Sequence, residues 1–86
     1  MMAKAGRPLK VDPRIDRAFI DIEKGDNAPV IKLLNELGVD AFDRYKRTVL
    51  INAAFSGNLE MMEWCMDNKA DINYRDRGGM SALHFA

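Results

Sequence analysis

The stretch Asp43-Arg44-Tyr45-Lys46-Arg47-Thr48-Val49-Leu50-Ile51-Asn52-Ala53 returns 33 residues later as Asp76-Arg77-Gly78-Gly79-Met80-Ser81-Ala82-Leu83-His84-Phe85-Ala86, with its Asp, hydroxyl, Leu and Ala in register. Self-similarity at a fixed spacing of this size marks a repeat architecture, in which each unit buries its apolar face only against its neighbours. The residue types inside the unit have local reasons. Thr48 is a good N-cap, since its hydroxyl can accept one of the free N–H groups of a helix start. Behind it Leu50, Ile51, Ala53, Ala54 and Phe55 form a short helix, and the small Ala53-Ala54 pair allows a close helix approach. Gly57-Asn58 ends that helix and caps the next, Gly57 supplying the reversal between antiparallel helices. The spacing predicts an apolar seam of Leu59, Met62, Cys65 and Met66 in this second helix, widened by Met61 and Trp64.

Upstream, Asp12-Pro13 reads as an N-cap carboxylate followed by proline at the first helical position. Ile15, Ala18, Phe19 and Ile22 then fall on one helical face, so a helix is expected from Asp12 to Lys24, stopped by Gly25. Asn27 is expected to cap a second helix carrying Val30, Ile31, Leu33, Leu34 and Leu37 and closed by Gly38. Residues 1–11 have no period and carry Lys4, Arg7 and Lys10 without an acid, which predicts a flexible basic arm. No segment sustains a period-two alternation. The predicted fold class is all-α.

A period of 33 residues is that of the ankyrin repeat, and the residues resemble that family closely. Gly57-Asn58-Leu59-Glu60-Met61-Met62-Glu63 followed by Lys69-Ala70-Asp71-Ile72-Asn73 is similar to the second half of such a repeat, and Ser81-Ala82-Leu83-His84 to its Thr-Pro-Leu-His start. Val30-Ile31-Lys32-Leu33-Leu34 and Gly38-Val39-Asp40 fit more loosely, with Asp26 in the place of the inter-helix Gly. The resemblance implies a solenoid of antiparallel helix pairs with protruding turn fingers. It divides the chain into the arm (1–11), a degenerate capping helix pair (12–42), a complete repeat (43–75) and the start of another (76–86). Val49 and Ala82 replace the helix-starting Pro, Ile51 replaces the His, and Lys46 replaces the finger Gly. A less regular finger is therefore expected after Asp43 than after Asp76.

Composition bounds the function. Eighty-six residues make one domain at most, and thirteen Lys+Arg balance thirteen Asp+Glu, so the chain as a whole is not the basic object that non-specific nucleic-acid binding needs. Apolar residues at 48% and charged residues at 30% describe a folded chain. Apolar runs stay far below the roughly 18 residues of a membrane span, and no leader pattern opens the sequence. An intracellular, cytoplasmic location is expected. Asp16, Arg17, Asp21 and Glu23 put charge on the outer face of the first helix, as a cap requires. The last helix, with Leu83 and Phe85, lacks such a cover, so the chain is expected to be the N-terminal part of a longer array, the alternative being that this end pairs with a second copy or another protein.

Chemistry is sparse. Cys65 and His84 are the only candidates for a nucleophile and base, and the reading preferred for them is a buried thiol and a hydrogen-bonding histidine. Carboxylates sit at turns and helix starts, and no metal-ligand spacing or phosphate loop is present. No catalysis and no cofactor are expected. Ala5-Gly6-Arg7-Pro8 resembles the Gly-Arg-Pro core of AT-hooks, so Lys4, Arg7 and Lys10 are candidate nucleic-acid contacts of an adaptor. Residues 1–17 carry five bases against two acids, and the remaining eight bases face eleven acids, so the arm could equally rest on the protein's own body. The family resemblance implies partner binding through the fingers and the concave face of the first helices. Those positions are Arg44, Tyr45, Arg47, Phe55 and Ser56 in one repeat and Arg75, Arg77, Gly78 and Met80 at the next finger. Arg, Tyr and Met are types that interface centres favour, and four arginines point to acidic groups on the partner. The function expected is a non-catalytic protein-interaction module, with a small neutralising, immunity-like binder as the alternative within the same class.

Overall fold

The computed structural model describes residues 12–85. Its elements are α1 (Arg14–Lys24), α2 (Ala28–Leu37), α3 (Val49–Ser56), α4 (Leu59–Asp67) and α5 (Ala82–Phe85). Among the described residues the only strand-like pairing is a single antiparallel bridge between Phe42 and Thr48, so the all-α class holds. α3 is the hub, packing on α1, α4 and α5, while α1 packs on α2. α1, α3 and α5 thus form one layer, with α2 and α4 behind.

The core runs through this layer. Ile15 and Ile22 of α1, Val30 and Leu34 of α2, Val49, Leu50, Ile51 and Ala53 of α3, and Met61 and Cys65 of α4 are all buried. Six consecutive residues of α3, Val49 to Ala54, are covered on every side, as a helix between two neighbouring layers must be. The seam of α4 differs from the expected one: Met61 and Cys65 are buried, Met62 and Trp64 flank them, and Leu59 and Met66 are 70% and 43% exposed. At about 100° per residue, Leu59 and Met66 both lie on the side of the helix opposite Met61. The apolar residues of α4 thus fall on two faces, of which the one carrying Met61 and Cys65 is buried. Asp21, expected on the outer face of α1, is instead buried and lies 3.6 Å from the Arg17 guanidinium.

Caps set the helix ends. The Thr48 hydroxyl accepts from Ile51 N–H at 3.3 Å, and Asn58 Oδ1 accepts from Met61 N–H at 3.1 Å, both as expected. At the first helix Asp12 Oδ1 accepts from Arg14 N–H at 2.9 Å, but Pro13 already has helical backbone and the helix proper begins at Arg14. Gly25 and Gly57 both take the left-handed conformation, with φ 80° and 76°. The inter-helix glycine of the first pair is therefore Gly25, and Asp26 is an extra residue before Asn27 and not a substitute for it.

Asn27 does not cap α2. Its Oδ1 accepts from Asn58 Nδ2 at 2.8 Å and its own Nδ2 donates to Glu60 Oε1 at 3.0 Å. Asn58 Nδ2 also donates to Ile22 O at 3.0 Å, and Asn52 Nδ2 reaches Phe19 O at 3.4 Å. These side chains join the second helix pair to the C-terminal half of α1 and to the turn before α2. Asp40 extends the same link by accepting Asp71 N–H at 3.0 Å.

Candidate functional site

Each finger is folded by one aspartate. Asp43 Oδ1 accepts Tyr45 N–H at 2.8 Å and Arg47 N–H at 2.9 Å, while Lys46 N–H donates to Asp43 O at 2.9 Å and Asp43 N–H to Arg47 O at 3.1 Å. Asp76 repeats the pattern, its Oδ1 accepting Gly78 N–H at 2.8 Å and Met80 N–H at 3.0 Å, with Gly79 N–H on Asp76 O and Asp76 N–H on Met80 O, both at 2.9 Å. Both aspartates are buried. The expected irregularity of the first finger is absent. The carboxylate and the backbone define the turn, and Lys46 accepts the left-handed conformation, φ 61°, that Gly79 holds at 81°.

The fingers are stacked as a ladder. Arg77 N–H donates to Tyr45 O at 2.9 Å and Arg77 Nε to Arg44 O at 2.7 Å. Arg47 Nε lies 3.4 Å from Asp76 Oδ2, and Arg44 reaches back to Asp16 of α1 at 3.7 Å. Burial of the Asp76 carboxyl would by itself raise its pKa. The N–H bonds from Met80 and Gly78 and the neighbouring Arg47 outweigh it and hold the pKa below the ordinary carboxylate value.

The candidate surface residues are distributed along this ladder. Arg44, Tyr45, Arg47, Arg75, Arg77 and Gly78 are exposed on the two fingers, whereas Met80 is half-buried at the base of the second. Tyr45 is 54% exposed, with the Arg44 and Arg47 guanidinium carbons 6.0 and 5.9 Å from its ring centroid. Arg75 donates to Gly79 O at 3.3 Å. Tyr74 is different: it is half-buried, its ring stacks on Phe42 at 6.1 Å, and burial together with Asp40 and Asp71 raises its pKa. Phe55 and Ser56 sit at the far end of α3, both exposed, and Phe55 meets Phe85 edge-on with ring centroids 5.2 Å apart. The structure thus brings the finger residues together and sets Phe55 and Ser56 apart from them. Lys46 joins the exposed residues of the first finger and Phe85 packs beside Phe55, and neither is among the expected contact positions. The signals were present, in that Lys46 lies between Tyr45 and Arg47 and Phe85 is an aromatic in the repeated unit.

Lys4, Arg7 and Lys10 lie outside the described residues. Cys65 is wholly buried in α4, and burial, with a smaller effect of Asp40, pushes its pKa up to about 12. A thiol so held supplies almost no thiolate near neutral pH. His84 Nδ1 accepts Ser81 N–H at 2.9 Å and lies 3.1 Å from Ser81 Oγ, which places it in a local turn. Among the described residues no group of three His, Cys, Asp or Glu side chains is arranged to hold a metal ion, and no helix is long and apolar enough to cross a membrane.

Comparison with known proteins agrees with the repeat architecture. Residues 55–86 match the family described as ankyrin repeats (many copies). The chain is similar to the Notch-regulated ankyrin repeat-containing protein of Xenopus tropicalis, 32% identical over 91 aligned positions that cover 99% of this chain and 80% of that protein. The proteins of that name from Homo sapiens and Mus musculus are each 32% identical over 80 positions, covering 86% of this chain and 70% of theirs.

Proposed function

Because the chain belongs to the ankyrin-repeat family, we propose that it is a rigid protein-interaction module that holds its partner on the two fingers and the exposed end of α3. In this reading residues 12–42 are a capping helix pair, 43–75 a complete repeat and 76–86 the start of the next. The observation that carries it is the finger ladder: the turn backbone is already hydrogen-bonded to Asp43 and Asp76 while Arg44, Tyr45 and Arg77 stay exposed. A surface ordered before contact loses little conformational entropy on binding. Association without chemistry is the mechanism, with arginines and a tyrosine as the contacting types.

The test is affinity capture from a cell lysate with the wild-type chain and with Arg44→Glu/Arg77→Glu, both checked for native helicity by circular dichroism. Loss of the proteins that the wild type retains is expected. Undiminished capture by the double variant would remove the fingers as the binding surface.

A further inference from the structure

Among the described residues the two fingers carry five exposed cations, Arg44, Lys46, Arg47, Arg75 and Arg77, and the far end of α3 carries the exposed Phe55. We propose that the finger tips and Phe55 together form a docking surface for an acidic protein segment that also carries one aromatic or large aliphatic side chain. The acid meets the finger arginines and the apolar side chain seats beside Phe55 and Phe85. This rests on the reading that the tract binds protein, and adds the chemistry of what is bound.

The charge argument comes from the fate of the carboxylates. Arg44, Lys46, Arg47, Arg75 and Arg77 are all exposed on two adjacent fingers. The acids interleaved with them, Asp43 and Asp76, are buried and committed to backbone N–H groups. Only Arg47 shares one of them, at 3.4 Å. The contact from Arg44 to Asp16, at 3.7 Å between two exposed side chains, is of the weak kind that a ligand displaces. A chain with equal numbers of acids and bases overall thus keeps a local positive excess here, which calls for an acidic complement.

The apolar argument comes from Phe55. It is 67% exposed on a helix whose residues 49–54 are all buried, and its edge-on contact with Phe85 leaves ring surface open. The two features are spaced. Phe55 lies seven residues beyond Thr48, the base of the first finger, about 10 Å along the axis at about 1.5 Å per residue, so a segment held by the finger arginines needs at least about three extended residues, at about 3.3 Å each, to reach it. Nucleic acid fits less well, since an edge-to-face aromatic pair is not a stacking platform for successive bases.

Fluorescence anisotropy on synthetic peptides tests this. Each peptide carries three consecutive Glu, a Gly-Ser spacer of one to six residues and a Phe, with a labelled single-stranded oligothymidine as the comparison. Binding should be salt-sensitive and should gain from the Phe only at spacers of about three residues or more. It should weaken by about tenfold or more when the peptide Phe becomes Ala, and vanish when Glu becomes Lys. Arg44→Glu/Arg77→Glu should weaken every acidic peptide. Phe55→Ser, which leaves the core intact because Phe55 is exposed, should remove only the Phe-dependent part. No binding across the series, binding indifferent to the Phe or to Phe55→Ser, or tighter binding of the oligothymidine overturns the proposal. If the peptides fail while lysate capture still depends on Arg44 and Arg77, only this ligand chemistry falls. If capture is indifferent to them, the interaction surface itself falls.

Discussion

Lys46 and Gly79, 33 residues apart, hold the same left-handed backbone at the tips of consecutive fingers, φ 61° and 81°, and each donates its N–H to the carbonyl of its finger's aspartate at 2.9 Å. The conformation belongs to the position and not to the side chain. Glycine reaches it without steric cost, whereas an L-residue there loses about 1 kcal/mol to the contact of Cβ with the backbone.

Two opposite substitutions follow. Lys46→Gly should stabilise the chain by about 0.5–1 kcal/mol and raise Tm by several degrees, since the relief of strain exceeds the added freedom of the unfolded chain. Gly79→Ala should cost about 1 kcal/mol, although a Cβ there meets nothing within 4 Å, so the loss is one of backbone conformation. Thermal unfolding followed by circular dichroism measures both. A neutral Lys46→Gly would show that the finger relaxes around lysine.

Asp76 makes stability depend on pH in a defined direction. Its folded pKa lies below the ordinary 3.8, so its contribution is complete above that value and is lost as pH falls through the lowered one. Asp76→Asn keeps an acceptor for the Gly78 and Met80 N–H groups but gives up the charge facing Arg47. The wild type should therefore be the more stable above about pH 4, with the gap closing below it. Urea unfolding of both proteins across that range checks the sign, and a gap that widened on acidification would contradict it.

Asn58 serves both helix pairs at once, capping α4 through Oδ1 and bonding Ile22 O and Asn27 Oδ1 through Nδ2. Asn58→Ala removes a cap worth about 1 kcal/mol and the two inter-pair bonds, for a total loss of about 2 kcal/mol. That is a large part of the roughly 4–13 kcal/mol expected for a chain of this length. Asn58→Ser keeps a capping oxygen and loses the reach, so its cost should be the smaller. Urea midpoints order the three proteins, and equal losses for Ala and Ser would mean that the cap contributes little.

What the sequence made legible divides along how local each interaction is. Thr48, Asn58 and Gly57 were readable because caps and left-handed turns depend on residues within one helical turn of themselves. Asn27 was misread for the converse reason, since its partners Asn58 and Glu60 are more than 30 residues away and outcompete its own helix start. The seam of α4 was misplaced because Leu59 and Met66 are as apolar as Met61, and only packing on α3 chooses between the faces. The first finger looked damaged by its lysine, yet the fold rests there on Asp43. At the candidate surface the arginines were visible as residues, while their unequal ties, Arg47 to Asp76 and Arg77 to Arg44 O, needed the two fingers side by side.

Cys65 gives a last measurable consequence of burial. Its thiol pKa rises from 9.0 to about 12, chiefly because the folded chain removes it from water. A raised folded pKa favours the protonated form, so the contribution to stability is complete below about pH 9 and is lost as pH rises toward the folded value. The same burial controls reactivity. In the native protein at pH 8, alkylation by iodoacetamide should proceed only as fast as the chain opens, and mild urea should accelerate it in proportion to the open population. Mass spectrometry of quenched time points reads this directly. Modification at the rate of a free thiol in the absence of urea would mean that α4 opens without the rest of the fold, and that the Met61–Cys65 seam is not what holds the second helix pair together.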